Sequence, residues 1–253
     1  MDLRNAHVLV TGASSGIGAA LAQAAAARGA RLSVVARRGD ALRALEIPGA
    51  HILEKDLVED SHGWLAKLVE TQGPVDVLIN NAGVQVIAPT ERVDVARGER
   101  SLHLNLQVPL RLTREVLPTM LHRRRGSIVN ITSLAALAPT PGMTYYNASK
   151  AGLAGASEAL SGEMRGRGVG VVTVYPGIIQ TAMADSGRAS YGASRAVDAQ
   201  PVGTPETLAR HVLDAVERND PRVIYPRMNV LARHFPALTR WMMDRFSPPL
   251  SDG

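Results

Sequence analysis

Cysteine is absent from the 253 residues, so disulfides and thiol catalysis are excluded, while the redox compartment stays open. Aromatic residues make up only 4% of the chain, too few for a base-stacking platform. The net charge of +5 comes from scattered arginines without a basic tract, and specific nucleic-acid binding is not expected. No hydrophobic stretch reaches the length of a signal peptide or a membrane span, and Met1-Asp2-Leu3-Arg4 runs directly into the apolar Val8-Leu9-Val10. The expectation is a soluble, cytoplasmic protein. Internal repeats and low-complexity tracts are missing as well.

What is present is a chain with 45% hydrophobic and 20% charged residues, able to bury a large core in one domain. Apolar runs that read as buried strands fall at residues 6–10, 31–35, 51–53, 74–79, 127–131, 169–175 and 222–225. Helical segments separate them, near 61–70, 100–124, from 144, and 205–217. The expected fold class is therefore α/β, a single-domain Rossmann-type doubly wound parallel sheet of about seven strands with helices on both faces. Residues 1–226 are expected to form this domain. Residues 178–204, rich in Ala, Ser, Gly and Arg without a sustained period, read as an irregular candidate substrate lid. The tail, 227–253, places Leu231, Phe235, Leu238, Met242 and Phe246 at helical spacing among Arg233, Arg240 and Arg245. It is expected to break at Pro236 and to pack on the same domain or a second subunit. A pocket wall or a membrane-surface contact are the alternatives.

Chemistry is suggested first at the end of the opening strand, where Thr11-Gly12-Ala13-Ser14-Ser15-Gly16-Ile17-Gly18 turns into an alanine-rich helix. Strand, glycine turn and helix in that order make a dinucleotide-binding context: the glycines admit a pyrophosphate, and the helix N-terminus offers unpaired N–H groups. The spacing Gly-x-x-x-Gly-x-Gly departs from the commoner G-x-G-x-x-G. At the end of the second strand stand Ala36-Arg37-Arg38, with no acid to accept from a free ribose 2'-hydroxyl. An arginine fork suits a 2'-phosphate, which favours NADP(H) over NAD(H). Asp56-Leu57, just past the third strand, read as an adenine contact or a helix cap. Asn80-Asn81-Ala82-Gly83 read as a lining of the cofactor crevice or a tie between strand ends.

Tyr146 and Lys150 share one helix face at four-residue spacing, whereas Tyr145 is matched with the uncharged Ser149. A nearby cation is expected to lower the phenol's pKa and make Tyr146 a proton-transfer group. Asn105, amid apolar neighbours in its helix, is read as exposed or as a satisfied buried amide.

Taken in order, Thr11-Gly12-x-x-x-Gly16-x-Gly18, Asn80-Asn81-Ala82-Gly83, Asn105, Ser133, Tyr146-x-x-x-Lys150 and Pro176-Gly177 resemble the short-chain dehydrogenase/reductase family across about residues 5–226. The resemblance implies Tyr146 as general acid/base and Lys150 as the cation that lowers its pKa and holds the nicotinamide ribose. It implies Ser133 as the group orienting the substrate oxygen and Asn105 as the holder of a relay water. Gly12, Ser14, Ser15, Gly16, Ile17, Gly18, Arg37, Arg38, Asp56, Leu57, Asn81, Ala82 and Gly83 would border the cofactor, with Pro176, Gly177, Ile179 and Thr181 on its nicotinamide side. The implied activity is NADP(H)-dependent interconversion of a carbonyl and a secondary alcohol, in a homodimer or homotetramer built on the helices containing Asn105 and Tyr146. No metal is implied. A neutral, hydrophobic small molecule suits the loops at 84–97, 134–143 and 178–204. The competing reading is an NADP(H)-binding sensor or scaffold without turnover.

Overall fold

The computed structural model describes residues 1–60, 62–191 and 201–246. Position 61 of the expected third helix, the centre of the expected lid and the last residues of the tail lie outside them. The strands are β1 (His7–Thr11), β2 (Arg31–Ala36), β3 (His51–Glu54), β4 (Val77–Asn80), β5 (Gly126–Ile131), β6 (Val169–Pro176), β7 (Ile178–Ile179), β8 (Val202–Gly203) and β9 (Arg222–Tyr225). Seven of them form one parallel sheet in the order β3-β2-β1-β4-β5-β6-β9, and β7 and β8 pair as a separate ribbon.

The helices are α1 (Gly16–Ala27), α2 (Gly39–Arg43), α3 (Trp64–Gln72), α4 (Val95–Leu102), α5 (Val108–His122), α6 (Thr144–Glu163), α7 (Ala182–Ala189), α8 (Pro205–Arg218), α9 (Val230–His234) and α10 (Pro236–Phe246). They cover the sheet on both faces, which is why its central strands read as unbroken apolar runs. Successive side chains along β1 point to opposite faces. Val8 and Val10 join Leu21 and Ala25 of α1 and Leu208 and Val212 of α8, while Leu9 joins Leu65 of α3 and Leu112 and Val116 of α5. Each of these valines and leucines, fully buried, contributes roughly 1.5–3 kcal/mol.

Two sequence expectations are corrected. The helix read as 100–124 begins earlier, at Val95, where Asp94 caps it by accepting from the Arg97 N–H at 2.8 Å. It is also interrupted by a π-helical turn at His103–Gln107. Pro109 explains the interruption: it has no N–H to give the carbonyl of Asn105, its partner in a regular helix, and the ladder widens so that Val108 bonds His103 instead. The segment read as irregular contains β7, α7 and β8. It escaped pattern reading because α7 is mostly exposed and carries no apolar stripe, and because two-residue strands have no measurable alternation.

Candidate active site

The order of strands reverses between β1 and β4, which leaves a crevice beyond their carboxyl ends. The glycine turn fills one side of it. Gly12 has φ +67°, and a Cβ there would lie 2.7 Å from the Cα of Ala82; at Gly18 it would lie 2.2 Å from the Gly12 carbonyl oxygen. Neither site admits a side chain. The crossing is tied by Thr11, whose hydroxyl accepts from the N–H groups of Asn81 and Ala82 at 2.9 and 3.0 Å. Asn81 in turn donates its amide to the carbonyls of Thr11 and Gly12 at 3.0 and 3.1 Å. Of the two roles open in the sequence, these contacts show a tie between strand ends for Asn81, and Asn80 makes another through Asn130 at 2.9 Å.

The N-terminus of α1 is open: Ser15 makes no side-chain cap bond, and no acid stands in the first turn. Ser14 and Ser15 instead accept from one guanidinium nitrogen of Arg38, at 3.1 and 2.9 Å. Ile17 packs on the core below. The arginine fork expected from sequence is thus divided. Arg38 reaches onto the glycine turn, whereas Arg37 is exposed and leans toward Asp56 at 3.9 Å. Asp56 is also engaged by Arg100 of α4 at 2.5 Å and accepts from the Val58 N–H at 3.0 Å. It therefore closes a local turn and caps no helix, since α3 starts only at Trp64. Leu57 is buried.

These features fit a nicotinamide dinucleotide. An uncapped helix N-terminus without an acid, beside glycines that bring the backbone close, suits a pyrophosphate, and an arginine over two serine hydroxyls suits a further phosphate.

Across the strand ends, α6 presents Tyr146 and Lys150 to the crevice, both buried. The neighbouring Tyr145 turns the other way, its ring lying 2.7 Å from where a Cβ on Gly98 of α4 would be. Gly98 thus leaves the room on α4 that the Tyr145 ring fills. The Lys150 ammonium donates to the Ile131 carbonyl at 2.9 Å and lies 5.8 Å from the centre of the Tyr146 ring. Burial lowers it to about 8. Burial also raises the Tyr146 phenol above its ordinary value, with a hydrogen bond from Ser133 pulling the other way. The direction is opposite to the lowering expected from the four-residue spacing: burial of the phenol sets it, while the Lys150 ammonium is turned to the Ile131 carbonyl. Ser133, at the end of β5, also accepts from the Ala135 N–H at 3.1 Å.

Asn105 is fully buried. Its Oδ1 accepts from the Val84 N–H at 2.9 Å, and its Nδ2 donates to the Val84 carbonyl at 2.9 Å and to Ser149 at 3.1 Å. Its amide is the satisfied one of the two readings, clasping the segment that follows Gly83 to α6. A Cβ on Gly83 would sit 3.1 Å from Asn105 Oδ1 and 3.5 Å from Lys150 Nζ, so these three groups meet at one point. Behind them, Pro176 ends β6, and Gly177 donates to the Tyr225 carbonyl at 2.8 Å. Ile179 is buried. Thr181 caps α7 by accepting from Ala184 at 3.3 Å, and its methyl group lies 3.1 Å from where a Gly16 Cβ would be. Sequence reading missed Ser149 as the group that orients Asn105. Its place one residue before Lys150 gives no signal, because the contact depends on the π turn.

The family of short chain dehydrogenases matches residues 6–192. Over 226 residues the chain is 34% identical to the ketoacyl reductase HetN of Nostoc sp., spanning 86% of this chain and 77% of that protein. It is 32% identical over 226 residues to the 3-oxoacyl-(acyl-carrier-protein) reductase FabG of Thermotoga maritima, spanning 84% and 91%. The crystal structure of a short-chain dehydrogenase from Streptomyces avermitilis is similar with a TM-score of 0.81 and 31% identity, over 96% of this chain and 97% of that one. On these matches the chain belongs to the short-chain dehydrogenase/reductase family, oxidoreductases of carbonyl and alcohol groups that bind a nicotinamide cofactor.

Proposed function

We propose that the protein is an NADP(H)-dependent oxidoreductase that interconverts a carbonyl and a secondary alcohol, with Tyr146 as general acid and base. The observation that carries this reading is the burial of the Tyr146 phenol against Ser133 and Lys150, on the same chain as an uncapped, acid-free N-terminus of α1. When bound, NADPH supplies a hydride to the carbonyl carbon, and NADP+ takes one from the alcohol in the reverse direction.

The chain's own residues do the rest. Ser133 donates to the substrate oxygen and fixes its place, and Tyr146 delivers the proton as that oxygen gains charge. A phenol held above its ordinary value stays protonated at neutral pH, the state that reduction needs. Lys150 holds the ribose hydroxyls and supplies positive charge beneath the phenolate left behind. Asn105 serves the proton relay through what its clasp leaves over, one lone pair of Oδ1 beside Lys150 and the carbonyl that Pro109 cannot bond. Gly12, Gly16 and Gly18 with Ser14, Ser15 and Ile17 border the pyrophosphate, and Asp56 and Leu57 border the adenine. Ala82 and Gly83 floor the crevice, and Pro176, Gly177, Ile179 and Thr181 flank the nicotinamide. Arg38 supplies the 2'-phosphate contact, with Arg37 beside it.

The substrate is a neutral, hydrophobic carbonyl compound. Val86 and Met143 are buried in the loops that would receive it, and Tyr191 joins two of those loops by donating to the Pro141 carbonyl at 2.7 Å. Residues 1–226 act as the catalytic unit, in the cytoplasm, as a homodimer or homotetramer through the α4, α5 and α6 faces, where Val95 and Leu110 are exposed. NADPH oxidation followed over aliphatic, aromatic, steroid and β-ketoacyl carbonyls, with NADH in parallel, tests the reading. Turnover with NADPH and weak use of NADH are expected; tight NADPH binding without consumption of any carbonyl would transfer the site to a sensing role.

A further inference from the structure

We propose that residues 222–246 dock the protein on an anionic phospholipid surface. After β9, the chain leaves the sheet through α9 and α10, and Met228, Leu231, Phe235, Leu238, Trp241 and Met242 remain 49–69% exposed. Leu231 and Phe235 stand four apart before the break at Pro236, and Leu238, Trp241 and Met242 fall at helical spacing on α10 after it, so the tail bares apolar side chains on both sides of the break, a surface rarely left without a partner. The patch is anchored to the body. Glu158 of α6 accepts from Arg233 at 2.7 and 3.1 Å, from Arg222 at 3.1 Å and from the Tyr175 hydroxyl at 2.6 Å.

Charge decides the occupant. The sequence reading takes the arginines as scattered, yet residues 222–246 hold five arginines against the single Asp244, nearly the whole of the chain's net +5. At the root of the patch lies a cavity of about 160 Å³ lined by His211, Arg218, Arg222 and Arg227, with Asp220 as its acid. Arg222 joins the cavity to the patch, because it shares Glu158 with Arg233. A second copy docking by the same face would set arginine against arginine, since in each copy Asp244 is already paired with Arg240 and Glu158 is shared by Arg222 and Arg233. A phospholipid surface offers phosphates to the arginines and an acyl boundary to Phe235, Leu238 and Trp241. Among the described residues, no helix is long and apolar enough to cross a membrane, so the tail lies along the surface.

Flotation of the full chain with vesicles tests this. Vesicles of phosphatidylcholine alone are compared with phosphatidylcholine and phosphatidylglycerol at about 3:1, each at about 0.05 and 0.5 M salt. The expected result is binding at least about tenfold tighter to the anionic vesicles and largely lost at high salt. Leu238→Ser with Trp241→Ser abolishes it, and Arg227→Gln with Arg240→Gln weakens it about tenfold, each variant checked for native circular dichroism and for mass by light scattering. No flotation with anionic vesicles, or flotation indifferent to lipid charge, overturns the proposal. So does a dimer that the Leu238→Ser, Trp241→Ser variant converts to monomer while the wild-type chain ignores vesicles, which assigns the face to a second copy.

Discussion

Two regions of this molecule spend similar residues in opposite ways. Around the crevice, Tyr146, Lys150 and Asn105 are buried, and their polar atoms are matched by Ser133, the Ile131 carbonyl, Val84 and Ser149. Beyond Tyr225, Phe235, Leu238 and Trp241 are more than half exposed, and the tie to the body is ionic, through Glu158. The first region is finished within one chain. The second has its apolar surface turned outward, and its ion pairs hold a position without covering it. The difference shows that burial, more than residue type, sorts chemistry from contact: buried groups acquire shifted proton affinities, while exposed apolar groups offer adhesion.

The largest expected effect comes from removing one oxygen. Tyr146→Phe should cut turnover by ~10² or more and leave the melting temperature nearly unchanged, as steady-state kinetics and calorimetry on the same sample would show; retained activity would remove Tyr146 from its role. Gly18→Ala attacks the same region by overpacking, since its Cβ would meet the Gly12 carbonyl oxygen at 2.2 Å. It should cost about 1–3 kcal/mol in urea unfolding and weaken NADPH binding. Arg38→Gln removes the cation over Ser14 and Ser15. It should raise the KM for NADPH about tenfold, in line with the ~1.5–3 kcal/mol of a charged hydrogen bond, and leave that for NADH unchanged. If both rise together, the arginine serves the turn and not a 2'-phosphate.

Lys150 gives a pH test with two opposite signs. Its folded value is about 8 against an ordinary 10.5, so between those values the unfolded chain binds the extra proton and stability rises with pH. Reduction should decline through the same window as the ammonium is lost. A stability curve and a rate curve that move in parallel there would contradict the burial argument. The smallest effect is expected in the other region. Glu158 would be raised by burial, but Arg233, Arg222 and Tyr175 outweigh this and hold it at about 2. Its contribution is present above its ordinary 4.5 and fades as pH falls toward 2. Glu158→Gln should lower stability by only about 1 kcal/mol while speeding trypsin cleavage after Arg233, seen by limited proteolysis.

Much of the first region was legible before the structure. The seven strands, the glycine turn and the choice of Tyr146 over Tyr145 follow from period, punctuation and four-residue spacing, which are local properties. Three features were not local. The π turn needs Pro109 and the wrap of Val84 around Asn105 together. The preference for Arg38 over Arg37 depends on which way the chain leaves β2. The direction of the Tyr146 shift depends on burial, which spacing does not encode. In the tail, the sequence showed the helical period and the break at Pro236, but not which side of it the body leaves bare, because that depends on the reach of the Arg233–Glu158 pair.

The chain carries two tryptophans, and the fold puts one in the core of the body and one in the tail. Trp64 is 7% exposed at the start of α3, and Trp241 is 59% exposed on α10. Indole emission shifts to the blue in apolar surroundings and to the red in water, so the protein holds two optical reporters with separable colours. Acrylamide should quench Trp241 first and leave the Trp64 signal to follow the melting of the sheet. In a Trp64→Phe variant every remaining photon reports on the tail, and in a Trp241→Phe variant every one reports on the body.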